Sequence, residues 1–253
     1  MSTNTSSCCF ILGNRVDSLT LAGAVARVDE FIQAGTPHHI VTLNAEIAYR
    51  AAGEAQLQAV INRAHMVTAD GSGILWAARQ LGTPLPERVT GIDLLQALAA
   101  AGAGKGWRFY FFGALPGVVE KAAAQLRIGY PGLEVAGLHH GFIGPDAVPY
   151  LIKEIRKVKP HILLVGLGAP KQEYFIARHL DELQVPVVMG VGGSFDVLAG
   201  VTRRAPAWMQ RLNLEWLYRV IREPKRYKRA LALPKFMLAV RREARQKRKK
   251  ESS

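Results

Sequence analysis

The chain has 253 residues, 49% of them hydrophobic, and a formal net charge of +13; that suits one large core, with or without an appendage. All of the excess charge lies in residues 202–253, where 17 Lys and Arg face 4 Asp and Glu, while residues 1–201 hold 16 of each sign. The only cysteines, Cys8 and Cys9, are adjacent, which excludes a disulfide framework or a thiolate metal site, and no apolar run nears the roughly 18 residues of a spanning helix.

Short apolar runs predict strands at residues 9–12, 40–43, 66–68, 108–112, 133–136, 162–165 and 187–189. Helical periodicity predicts helices at 45–57, 73–81, 93–101, 118–126 and 147–157. Strands separated by helix-length crossovers imply an α/β fold, a mostly parallel sheet with helices on both faces. Ligands of such sheets bind beyond the carboxyl ends of the strands, so the loops after the strands are the places to search. The composition breaks only near residues 200–202. Residues 1–201 are expected to form the catalytic core and residues 202–253 a basic, amphipathic helical appendage.

Four of those loops are unusually polar. Thr42-Leu43-Asn44 leads into a helix, where Asn44 suits an N-cap. Ala69-Asp70-Gly71 follows the next strand, and Asp70 suits either a cap of the following helix or a general base. Gly168-Ala169-Pro170-Lys171-Gln172-Glu173 offers close backbone approach, amides and a cation suited to phosphate. It is not the dinucleotide fingerprint, because Lys171 stands where the third glycine belongs. Gly192-Gly193-Ser194-Phe195-Asp196 is a further glycine turn closed by a carboxylate. Together these loops point to a nucleotide or sugar-phosphate site.

In series with Glu87-Arg88-Val89-Thr90-Gly91, Phe111-Phe112-Gly113, Arg204-Ala205-Pro206, Glu215-Trp216-Leu217-Tyr218-Arg219 and residues 223–229, these motifs resemble the WecG/TagA/CpsF glycosyltransferases, glycosyltransferase family 26. The resemblance implies a Rossmann-like core and inverting transfer from a UDP-sugar donor to an acceptor linked to undecaprenyl diphosphate. N-acetylmannosamine joined β-1,4 to N-acetylglucosamine is the leading expectation, with N-acetylmannosaminuronic acid or glucose donors as alternatives. By the same resemblance Asp70 is the base, Thr42, Asn44 and Gln172 position the sugars, and Arg88 is a substrate-site arginine, with a plain surface cation as the alternative. Gly168 and Lys171 face phosphate, and Asp196 sits at the uridine end or braces its own turn. Arg219, Arg226 and Arg229 are expected to fold over the site and neutralise the departing diphosphate. The resemblance also implies transfer without a metal cofactor, and the sequence agrees in having no Asp-x-Asp pair.

The appendage is expected both to close the site and to contact an anionic membrane surface from the cytoplasmic side, with no nucleic acid partner. One apolar stripe, Trp208, Met209, Leu212, Leu217, Val220 and Ile221, suits core packing and a bilayer equally. A second, Leu231, Leu233, Phe236, Met237 and Val240, is expected at the headgroups, and residues 245–250 as a frayed, solvated end. Off a membrane both stripes would need the body or another copy of the chain, a homo-oligomer. Two rival classes share the charge pattern, an α/β nucleotide-binding protein with an RNA-binding tail and a silent membrane scaffold. Neither accounts for the motif series.

Overall fold

The structure, a computed structural model, describes residues 8–203, 205–206, 208–209, 218 and 232–251. Six strands form a parallel sheet: β3 (His38–Leu43), β4 (Met66–Ala69), β5 (Arg108–Gly113), β6 (Glu134–His139), β7 (Ile162–Gly166) and β8 (Val187–Gly190), in the order β4-β3-β8-β7-β5-β6. The chain builds one edge with β3 and β4 and the other with β5 and β6. It then fills the gap with β7 and β8. Every carboxyl end therefore lies along one edge.

Strand side chains alternate between faces, as a period of two demands. Phe109, Phe111, Ile162, Leu164, Val187 and Met189 pack with α1 (Leu21–Ala34), α5 (Gly91–Lys105), α6 (Val118–Gly129) and α9 (Ser194–Leu198). Tyr110, Phe112, Leu163, Val165 and Val188 pack with α7 (Val148–Val158) and α8 (Lys171–Leu183). A third cluster surrounds Val41, Leu43 and Val67. It gathers α2 (Ala45–Ala51), α3 (Ala55–Arg63), α4 (Ser72–Gln80) and the C-terminal α10 (Ala232–Glu251).

Three sequence expectations change here. The run at 9–12 does not join the parallel sheet. It becomes β1 (Cys8–Ile11), paired antiparallel with β2 (Asn14–Asp17) across Leu12 and Gly13, both at positive φ, the geometry a two-residue hairpin turn needs. Asp17 Oδ2 then accepts the Val67 amide at 2.8 Å, tying the hairpin to β4. The helix expected over 45–57 breaks after Ala51, and α3 restarts at Ala55, with Gly53 in the break lowering helix propensity.

The third change concerns the appendage. Phe236 and Val240 are fully buried against α2 and α4, with Leu233 and Met237 packed beside them, so these four residues of the stripe lie in the core, not at headgroups. Leu231 lies outside the described residues. Ala48 and Ala51 of α2 and Ala77 and Ala78 of α4 are buried in the same cluster. Arg241 stacks over Trp76 at 5.9 Å, Lys247 Nζ donates to the Leu81 carbonyl at 3.1 Å, and Glu243 Oε2 accepts the Leu12 amide at 3.0 Å. The segment expected to fray continues α10 as far as Glu251. Of the earlier stripe, Met209 is buried and Trp208 is exposed, while Leu212, Leu217, Val220 and Ile221 lie outside the described residues.

Candidate active site

The loops singled out in the sequence meet along the carboxyl edge. Asn44 caps α2, its side chain accepting the Ile47 amide at 3.0 Å. Thr42, buried near the end of β3, donates through Oγ1 to the Gly190 carbonyl at 3.3 Å and so joins β3 to the β8 turn. The Asp70 amide donates to the Leu43 carbonyl at 2.8 Å, which continues the β3–β4 ladder by one residue.

Asp70 does not cap the helix that follows it. That helix, α4, has Gly71 at its N-cap and no side-chain cap. The Asp70 carboxylate instead accepts the backbone amide of Gly91 at 3.2 Å, at the start of α5, twenty-one residues further on. Thr90 is the N-cap of α5, accepting the Asp93 amide at 3.2 Å. Residues before α5 run alongside β4, because the Val89 amide donates to the Ala69 carbonyl at 2.9 Å and Thr68 Oγ1 to the Val89 carbonyl at 3.0 Å. This ladder places half-buried Arg88 at the same edge as Asp70.

On the β7 side, Gly168 has φ +76° and the Ala169–Pro170 peptide is cis. Lys171 opens α8 exposed, while Gln172 is 2% exposed and Glu173 is 1% exposed. The Gln172 amide is held at both ends: its Oε1 accepts the Gly192 amide at 2.9 Å and its Nε2 donates to Glu173 Oε1 at 2.9 Å. A side chain at Gly190 would have its Cβ 2.6 Å from Gln172 Nε2, so glycine is required there for Gln172 to lie flat against β8. Asp196 is half-buried in the first turn of α9.

Glu173 is the residue whose individual role sequence reasoning missed; it stood there only as a motif letter. A carboxyl beside Gln172 is visible in the sequence, but its burial is not. Burial pushes its pKa above the ordinary carboxylate value, opposed by the Gln172 hydrogen bond. Next along α8, Tyr174 donates to Glu54 Oε1, while Glu54 Oε2 pairs with Arg50 Nε at 2.9 Å. Partial desolvation and that carboxylate push the Tyr174 hydroxyl up to about 12. This contact clamps α8 to the α2–α3 break and so sets Gln172 relative to Asn44.

Neither α4 nor α8 has a side-chain cap, and first-turn amides at such ends favour anions. Among the described residues, no group of three or more His, Cys, Asp or Glu is placed to hold a metal ion. Arg219, Arg226 and Arg229 lie outside the described residues.

The architecture is that of an α/β enzyme with polar side chains and open helix ends gathered at one sheet edge, suited to an anionic substrate. The sequence pattern of the WecG/TagA/CpsF glycosyl transferase family matches residues 9–250. A Staphylococcus aureus N-acetylglucosaminyldiphosphoundecaprenol N-acetyl-beta-D-mannosaminyltransferase is 36% identical over 233 residues, 91% of each chain. Enzymes of the same name from Bacillus spizizenii and Bacillus subtilis are each 34% identical, over 79% and 83% of this chain and 77% and 81% of their own. The chain belongs to the WecG/TagA/CpsF family and is a glycosyltransferase.

Proposed function

We propose that the protein transfers N-acetylmannosamine from its UDP derivative to N-acetylglucosamine linked to undecaprenyl diphosphate, with inversion. The observation that carries this reading is the 36% identity to the Staphylococcus aureus mannosaminyltransferase across 91% of both chains. Asp70 takes the proton from the acceptor hydroxyl as that oxygen attacks the anomeric carbon. UDP leaves from the opposite face with the bonding electrons. Thr42, Asn44, Arg88 and Gln172 orient the sugars, and Asp196 marks the uridine end.

Charge grows on the departing diphosphate. Lys171, the Gly168 turn and the first-turn amides of α8 supply positive potential from the body. Arg219, Arg226 and Arg229 complete it from the appendage, and no metal ion is required. The lipid-linked acceptor brings the enzyme to the cytoplasmic membrane face, where the basic appendage meets anionic headgroups.

The test is product analysis. Purified full-length protein is given a synthetic N-acetylglucosamine-diphosphate lipid and, separately, UDP-N-acetylmannosamine, its uronic acid, UDP-glucose and UDP-N-acetylglucosamine. Mass spectrometry should detect a lipid carrying one added N-acetylhexosamine with the mannosamine donor. Product only from the uronic acid or glucose donor would replace the assigned sugar.

A further inference from the structure

A carboxyl group withdrawn from water carries a free-energy cost unless its surroundings compensate, so the burial of Glu173 needs a cause. Helix polarity does not supply one, because an exposed glutamate in the first turn of α8 would serve equally well. The structure shows two further facts. Glu173 Oε1 accepts from Gln172 Nε2 at 2.9 Å, while Oε2, equally buried, has no hydrogen-bond partner. Gln172 Oε1 in turn accepts the Gly192 amide at 2.9 Å, inside the turn that leads from β8 to Asp196.

An amide group is nearly symmetric in shape but not in hydrogen bonding. Flipped, Gln172 would set its NH2 against the Gly192 N–H, two donors facing each other. Its oxygen would then face Glu173 Oε1, two acceptors. With Glu173 accepting from Nε2, only one orientation satisfies both neighbours. The Gly190 carbonyl, at the end of β8 just before this turn, accepts from Thr42 Oγ1 at 3.3 Å.

We propose that Glu173 is a positioning residue for donor binding: its buried carboxyl locks the Gln172 amide, and through it the Gly192 turn, in the geometry that receives the UDP-sugar. It acts through Gln172 and touches no substrate. The lock requires an acceptor at Oε1, not a negative charge, and burial favours the neutral acid. A neutral acid suits a site that binds a diphosphate, because an ionised carboxylate there would repel the donor. This role rests on the transferase reading of the site.

The experiment compares full-length wild type with Glu173→Met, which keeps volume but removes the acceptor, and Glu173→Gln, which keeps a carbonyl acceptor without charge. Donor and acceptor KM, kcat and calorimetric UDP affinity are measured for each. Glu173→Met should raise the donor KM and the UDP Kd by roughly tenfold, the scale of one buried hydrogen bond. Its acceptor KM should stay within about twofold, and Glu173→Gln should restore the donor KM to within about threefold of wild type. Wild-type behaviour of Glu173→Met would overturn the proposal. So would a Glu173→Gln variant as impaired as Glu173→Met, since charge and not the acceptor would then matter. UDP affinity reads the lock without turnover. A wild type that binds UDP but transfers no mannosamine would overturn the assigned sugar and leave the Glu173 comparison decisive.

Discussion

The Asp70 carboxylate accepts the Gly91 backbone amide at 3.2 Å, which joins the end of β4 to the first turn of α5. That contact fixes the orientation of the carboxylate, and a base must be so held to meet the acceptor hydroxyl. Asp70→Asn keeps an oxygen to accept the Gly91 amide, so brace and base separate. Turnover should fall by at least ~100-fold, the usual scale of general-base catalysis, while the melting temperature and UDP affinity change little. Near-normal turnover of this variant would reduce Asp70 to the brace.

On the proposed mechanism, in which cations of the chain stabilise the leaving diphosphate, transfer should persist in excess EDTA and gain little from added magnesium or manganese. Activity abolished by the chelator and restored by a divalent ion would remove Lys171 and the three appendage arginines from leaving-group stabilisation.

Because α10 completes the third core cluster, Phe236→Ala should destabilise the protein by about 3–5 kcal/mol, the usual range for a buried phenylalanine. Truncation at residue 231 would uncover the apolar faces of α2 and α4, and the remaining body should aggregate or melt early. A truncated protein with an unchanged melting temperature would show that α10 contributes no core packing.

The exposed cations of α10 separate from its anchoring ones. Lys235, Arg242 and Arg245 face outward, whereas Arg241 stacks on Trp76 and Lys247 bonds the Leu81 carbonyl. Replacing each of the first three by glutamine should weaken binding to anionic vesicles by up to ~1 kcal/mol per charge. High salt should erase the difference. Equal binding of wild type and triple variant to anionic vesicles at low salt would rule out this face of α10 as a membrane contact.

His39 gives a pH dependence with a definite sign. The residue is 3% exposed, its Nε2 has no partner, and burial together with the neighbouring His65 lowers its pKa from 6.5 to about 3. Between those values the unfolded chain binds a proton that the folded chain does not. Stability contributed by neutral His39 is therefore complete above pH 6.5 and lost as pH falls toward 3, at about 1.4 kcal/mol per unit. Melting curves from pH 7 to pH 4.5 should fall less steeply for His39→Leu than for wild type. Parallel curves would show that His39 does not titrate on unfolding.

Local signals settled much of this protein. Apolar runs and helical periods located the strands of the parallel sheet, since both depend on residues a few positions apart. The glycine-bearing loops after β4, β7 and β8 showed where the site must lie, because loops after parallel strands share one edge. Asn44 as a helix cap was equally legible, its partner being three residues away. Tertiary structure decided what depends on distant neighbours. Nothing near Asp70 in sequence announces Gly91, and nothing near Glu173 announces a buried carboxyl. Phe236 and Val240 carry a periodicity that suits a bilayer and a protein groove alike, and packing against α2 and α4 decided between them. A periodic pattern states which face of an element avoids water; only the assembled fold supplies the surface that covers it.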